Sequence, residues 1–221
     1  MPEILMYRSI RSGFCASPAS TLRPLATLPN GFSSMSAIRR VLCLCGSLRR
    51  VSSNRAALEA ARQLAPASLE LAMYDGLATL PLFNPDDERD PLPASVLSLR
   101  GAVGQADALL IACPEYAHGV PGAFKNLLDW LVGSLEFPGK PVLLLNASAR
   151  GSYHAQEALA GILRTMSAEL LTSAPLPVAL PGAGCTVGQV LAHAERCAEL
   201  RAALDALAAV FAALDPSADA R

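Results

Sequence analysis

Val41-Leu-Cys-Leu-Cys-Gly-Ser-Leu-Arg-Arg-Val-Ser-Ser-Asn54 decides the fold. The apolar run Val41 to Cys45 has strand length and stops at Gly46. A polar loop follows, with hydroxyls at Ser47, Ser52 and Ser53 and cations at Arg49 and Arg50. A helical pattern starts near Asn54, with Ala57, Leu58, Ala61, Leu64 and Ala65 at helical spacing. Strand, short loop and helix in that order aim free backbone N–H groups and the positive helix end at an anion. Hydroxyls donate to phosphate oxygens, and a guanidinium grips two of them at once. Two readings stand: a phosphate pocket, or an ordinary strand-to-helix turn with a serine cap. The spacing is neither a Walker loop nor G-x-G-x-x-G.

Outward from this stretch the same rhythm repeats. Leu69 to Tyr74 reads as a second strand, ended by the turn pair Asp75-Gly76. Thr79 to Asp90 is a long loop rich in Pro and acids, of the kind that is either functional or a solvated connection. Pro93 to Gln105 fits a helix with Pro in its first turn. Asp107 to Cys113 is a continuous apolar run, as in the buried middle of a parallel sheet. It runs into Pro114-Glu-Tyr-Ala-His-Gly-Val-Pro-Gly122 and then a helix with Phe124, Leu127, Leu128 and Leu131 on one face. Lys140 to Asn146 is the fourth strand and Ala147 to Gly151 its polar loop. A helix carrying Ala155, Leu159, Ile162, Leu163, Met166 and Leu170 follows. Leu176 to Leu180 is a short fifth strand which Pro177 assigns to an edge. One closing helix carries Val190, Ala194, Cys197, Leu200, Leu204, Leu207 and Phe211.

About five alternations of strand and helix predict an α/β fold: a doubly wound, five-stranded parallel sheet with helices on both faces. Ligands of such sheets bind beyond the carboxyl ends of the strands. Three polar loops meet there: Gly46 to Asn54, Pro114 to Gly122, and Ala147 to Gly151. A phosphate-bearing ring compound suits all three, which is a flavodoxin-like sheet holding a mononucleotide.

The 221 residues make one domain with an appendage. Hydrophobic content of 52% supplies a well-filled core, and a net charge of −1 gives no field for nucleic acid or an anionic membrane. No apolar run approaches the roughly 20 residues of a membrane span. The six cysteines are scattered over predicted strands and a helix, so they read as free thiols in a reducing compartment, hence a cytoplasmic protein. Three separated histidines lack paired ligand spacing, and no metal site is expected. Residues 1–36, rich in Ser, Pro and Arg, show no sustained period. They read as a disordered extension or a product of an upstream start, with an organelle transit peptide as the competing reading. The domain is expected over 37–215, with a frayed tail over 216–221.

Four segments resemble the NAD(P)H-dependent FMN reductase family: Gly46 to Asn54, Pro81-Leu-Phe-Asn84, Pro114 to Trp130, and Asn146 to Arg150. The resemblance spans roughly residues 37–212. It implies a flavodoxin-like fold, FMN as cofactor, NAD(P)H as co-substrate, and a homodimer or homotetramer. It implies phosphate contacts from Ser47, Arg49, Ser52 and Asn54, with Ser53 nearby. Flavin-ring contacts are implied from Pro114, Glu115 and Tyr116 through His118 and Gly119, and from Ser148. The chain departs at Ala117, where many relatives carry Asn or another polar residue. Glu115 is expected to contribute backbone, with an acid role as the alternative. His118 either faces solvent or protonates a quinone. Lys125, Asn126 and Asp129 read as helix-surface or capping residues, and Trp130 as packing. The implied activity takes hydride from NAD(P)H and passes two electrons to a small-molecule acceptor such as a flavin or quinone, with no catalytic side chain required. A flavodoxin-type electron carrier and a flavin-binding redox sensor are the rival classes.

Overall fold

The computed structural model describes residues 38–148, 151–172, 176–178, 180, 182 and 184–214. The extension expected over 1–36 and the tail over 216–221 lie outside the described residues. Four strands form the body of the sheet: β1 (Arg39–Cys45), β2 (Leu69–Met73), β3 (Ala108–Ala112) and β4 (Pro141–Asn146). Two short pieces, β5 (Glu169–Leu170) and β6 (Leu176–Pro177), both pair with β4. Every pairing is parallel, and the order is β2-β1-β3-β4, with β5 and β6 beyond β4. The helices are α1 (Ser53–Leu64), α2 (Ala94–Gln105), α3 (Gly122–Val132), α4 (Tyr153–Thr165), α5 (Val187–Leu191) and α6 (Ala194–Leu214).

Alternation along the strands divides the core into two layers. Val41, Cys43 and Cys45 point to one face, with Leu110, Leu143 and Leu145, and are covered by α1, α5 and α6. Leu42 and Leu44 point to the other, with Leu109, Ile111 and Leu144, and are covered by α2, α3 and α4. The small residues Ala56, Ala57, Ala60 and Ala61 are buried on the inner side of α1, which lets that helix approach the sheet closely. Among the described residues no helix is long and apolar enough to cross a membrane.

Three expectations need correction. The sheet has six strand segments in place of five, because the last position is filled by two short pieces of chain. The helix expected to reach Leu170 ends at Thr165: Ser167 adopts a left-handed φ of 65° and turns the chain, so that Leu170 joins β5 opposite Val142. Leu170 fits a helical period and a strand equally, and the chain gives no glycine at the stop. The single closing helix is two. Thr186 and Gln189 form a capping box that starts α5, which ends before His193, and α6 begins at Ala194. Val190 and Leu200 nevertheless reach the same core, so the apolar pattern runs through the break.

The long loop between β2 and α2 is strapped across α3. Asn126 accepts from the Phe83 N–H (2.7 Å) and donates to the Pro81 carbonyl (2.8 Å), which also accepts from the Trp130 indole N–H (2.8 Å). Phe83 packs edge-on against the buried Trp130 at 5.0 Å. Arg100 donates to Glu88 (2.5 Å) and to the Trp130 carbonyl. Asn126 is thus a loop clamp and not a plain helix-surface residue, whereas Lys125 and Asp129 pair with each other along the helix.

Asn126→Ala removes both clamp bonds and leaves the Phe83 N–H without its partner. A loss of about 1–3 kcal/mol in unfolding free energy is expected, read from urea denaturation. An unchanged midpoint would show that the strap does not depend on Asn126.

Candidate functional site

The carboxyl ends of β1, β3 and β4 lie side by side because these strands pair in parallel, and β1 and β3 approach very closely at Gly46. The Gly46 N–H donates to the Ala112 carbonyl at 2.9 Å. A Cβ at Gly46 would lie 2.7 Å from Cys113 Sγ and 3.1 Å from Cys113 Cα, so only glycine fits. The first loop leaves from this point. Ser52 caps α1 with extended backbone, its hydroxyl accepting from the Arg55 N–H at 3.3 Å. Ser47 Oγ accepts from the Arg49 N–H at 3.3 Å. Asn54, buried in the first turn of α1, has a side-chain oxygen with no hydrogen-bond partner among the described residues. Ser53 departs from a simple phosphate role. Its hydroxyl donates to the Gly182 carbonyl (2.7 Å) and accepts from the Cys185 N–H (3.0 Å). It can therefore offer an anion its backbone N–H but not its hydroxyl proton. A cleft of about 290 Å³ lies beside the loop, lined by Ser47, Arg49, Arg50, Arg55, Tyr74 and Asp75 among others. Arg55 is already paired, with Asp75 at 2.6 Å and Glu59 at 3.5 Å.

The second loop is a tight hairpin. Tyr116 and Gly119 exchange two backbone hydrogen bonds (3.1 and 3.0 Å), and the central residues Ala117 and His118 have φ of 50° and 59°. Two consecutive left-handed residues make a primed turn, which favours Asn and Gly. An Asn at position 117, as the family resemblance implies, would tolerate this left-handed backbone better than Ala117 does. Pro114 precedes the turn, and the Cys113 carbonyl before it accepts from the Gln156 amide at 3.2 Å.

Glu115 does more than lend backbone. One carboxylate oxygen accepts from the Ala155 N–H in the first turn of α4 (3.0 Å), and the other lies 3.3 Å from His118 Nδ1. The N-cap residue Ser152 has a left-handed φ of 44° and makes no side-chain cap, so Glu115 supplies one from another loop. The Ala155 N–H, with His118 and His154 adding positive charge, holds the Glu115 carboxyl below the ordinary glutamate range. In the third loop Ser148 is half-buried beside the end of β4, and the Asn146 side chain donates to the Gly151 carbonyl. Ala149 and Arg150 lie outside the described residues.

Of the eleven residues singled out from sequence, nine fall on the three loops that follow β1, β3 and β4, and Ser53 and Asn54 fall in the first turn of α1. Sequence reasoning missed Gln156 and His154. A glutamine inside an amphipathic helix carries no sign that it is buried, and a histidine before Ala155 carries none that it meets another loop. Among the described residues no group of His, Cys, Asp or Glu is arranged to hold a metal ion. Burial pushes the Cys43 thiol up to about 12 and raises Cys113 as well, so neither is a thiolate nucleophile at neutral pH.

Residues 39–179 match the family profile described as NADPH-dependent FMN reductase. The chain is 37% identical to the quinone reductase of Escherichia coli strain K12 over 134 residues, covering 57% of this chain and 71% of that protein. It is 38% identical to an NAD(P)H-dependent FMN reductase of Pseudomonas aeruginosa over 128 residues, covering 54% and 69%. Among solved structures, the flavoenzyme NAD(P)H:(acceptor) oxidoreductase FerB of Paracoccus denitrificans superimposes with a TM-score of 0.59 at 26% identity, over 76% of this chain and 96% of that one.

Two outcomes follow from the loop geometry. Ala117→Gly relieves left-handed strain and is expected to stabilise the protein by about 0.5–1 kcal/mol net of the added unfolded-state entropy, read as a raised thermal midpoint. A lowered midpoint would mean that the turn does not hold Ala117 under strain. Glu115→Gln tests the linked charge. With its folded value depressed, the Glu115 carboxylate contributes stability that is whole above the ordinary glutamate value of about 4.3 and lost as pH falls through the lower folded value. The wild type and the variant are therefore expected to differ in urea midpoint at neutral pH and to converge in acid.

Proposed function

The chain belongs to the NADPH-dependent FMN reductase family, and on that premise we propose that it reduces quinones or free flavins at the ends of β1, β3 and β4. Family membership makes it an FMN-dependent oxidoreductase that moves electrons from NAD(P)H through flavin to an acceptor. The residues present fit FMN. The first turn of α1 offers backbone N–H groups to the phosphate, beside the cationic Arg49. The orphaned amide of Asn54 points to the same need: turned end for end, it presents Nδ2, the donor that a phosphate oxygen accepts from.

The single observation that carries the reading is the convergence of a phosphate-type loop, a rigid primed turn and a third loop at one edge of the sheet. FMN, when bound, supplies the hydride chemistry. In this reading Ser47, Arg49, Ser52 and Asn54 grip the phosphate, while Ser53 gives its backbone. Pro114, Glu115, Tyr116, His118, Gly119 and Ser148 border the ring. The Glu115 cap on α4 and the Gln156 bond to the Cys113 carbonyl fix the second loop before any ligand arrives, so less ordering is left to do on binding. The sequence carries no G-x-G-x-x-G dinucleotide fingerprint, so in this reading the nicotinamide lies on the exposed flavin face, and the acceptor needs that face in turn. We place the protein in a reducing cytoplasm, as a homodimer or homotetramer. The exposed apolar side chains Leu82, Val132 and Leu135 support a contact between copies.

One shared face predicts ping-pong kinetics. With NADPH varied at several fixed quinone concentrations, double-reciprocal lines are expected to be parallel, and excess quinone to compete with NADPH. Intersecting lines would show two separate sites. An electron carrier would bind FMN but turn over only with an added reductase. Arg49→Ala is expected to weaken FMN by about ten- to a hundredfold, as for loss of a hydrogen bond to a charged group worth roughly 1.5–3 kcal/mol. Fluorescence titration reads it, and an unchanged dissociation constant would remove Arg49 from the phosphate pocket.

A further inference from the structure

The primed turn holds a histidine in a way that packing does not require. His118 is 77% exposed on its side chain and sits in left-handed backbone, a conformation that persists at functional sites when surrounding bonds enforce it. The enforcing bonds are the paired N–H···O contacts between Tyr116 and Gly119. Beneath the imidazole lies Glu115, whose carboxylate is only 19% exposed and is tied to the Ala155 N–H. It therefore cannot swing away from His118 Nδ1, 3.3 Å distant. Against the imidazole stands the His154 ring from α4, edge-on at 4.5 Å and 82°. Glu115 from the same turn and His154 from the facing helix are the titratable groups placed against it. A carboxylate on Nδ1 fixes the proton there and leaves Nε2 as the nitrogen that exchanges protons with a ligand.

We propose that His118 is the proton donor to the acceptor in quinone reduction, with Glu115 as its positioning residue. This rests on the quinone-reductase reading above. A quinone takes up a hydride, two electrons and one proton, from the reduced flavin, and needs one further proton on oxygen to become the hydroquinone. His118 Nε2–H supplies that proton: the N–H bond breaks, the O–H bond forms, and the neutral imidazole regains a proton from water. Glu115 balances the charge of the imidazolium before the transfer and keeps the ring oriented after it.

The test compares acceptors that differ in proton demand. Ferricyanide takes electrons without protons, whereas a benzoquinone needs both. In the FMN-loaded protein, His118→Ala is expected to lower the ratio of quinone kcat to ferricyanide kcat at least tenfold, and added imidazole to restore it. A fall of both activities by the same factor would assign His118 to holding the flavin and overturn the proposal. A second arm needs no turnover. 4-Nitrophenol, a phenol like the product, changes colour on ionising. Bound to the oxidised protein at fixed pH, it is expected to be more ionised in the wild type than in His118→Ala, with Glu115→Gln between them. Equal fractions in all three would also overturn the assignment. If the protein binds FMN but neither acceptor is reduced, the quinone-reductase reading fails, and the proposal that rests on it falls too. If ferricyanide and quinone are both reduced and the ratio alone stays constant, the reading stands and only His118 loses its role.

Discussion

The whole site depends on how closely two strand ends can approach. Gly46 leaves β1 against Cys113 with no room for a Cβ, and that contact fixes the distance between the first two loops. An alanine there would push β1 from β3 at the point where their loops diverge. The phosphate-type turn and the primed turn would then no longer face one space. Packing reinforces the approach from below. The alanine face of α1 lies close on the sheet, so the positive end of that helix is carried to the top of β1. Loop chemistry here is thus a product of core geometry and not of the loop residues alone.

The second constraint is the exchange of caps between loops. Glu115 leaves its own turn to satisfy α4, and Ser53 leaves its own helix to hold the chain at Gly182 and Cys185. Each bond ties one loop of the site to a different segment, so the loops behave as one assembly. The polar groups involved are consumed by these bonds, whereas Arg49 and the imidazole of His118 stay exposed.

Much of this was legible in the sequence. The buried runs of β1, β3 and β4 announced a parallel sheet through their uninterrupted apolar character, and the loops after them carried the hydroxyls and glycines of a ligand edge. What was not legible follows from contacts distant in sequence. Ser53 reads as one more serine in a polar loop until Cys185, 132 residues later, is seen on its oxygen. Asn126 reads as a helix-surface or capping residue, and Gln156 draws no notice, because a helical period records position on a face and not what crosses it. The primed turn was hidden because Ala117 is a residue that left-handed backbone disfavours, so composition gave no turn signal there beyond Gly119. The split of the last strand was hidden because Leu170 satisfies two periods, and only pairing with Val142 chooses between them.

The Ser53 bond also bears on the order in which the protein can be made. During synthesis the phosphate-type loop leaves the ribosome early, yet its hydroxyl has no partner until Gly182 and Cys185 emerge. The helices that cover the same face, α5 and α6, come later still. The hydroxyl contact that ties this loop to the far side of the sheet therefore forms only after residues 182–185 have been made.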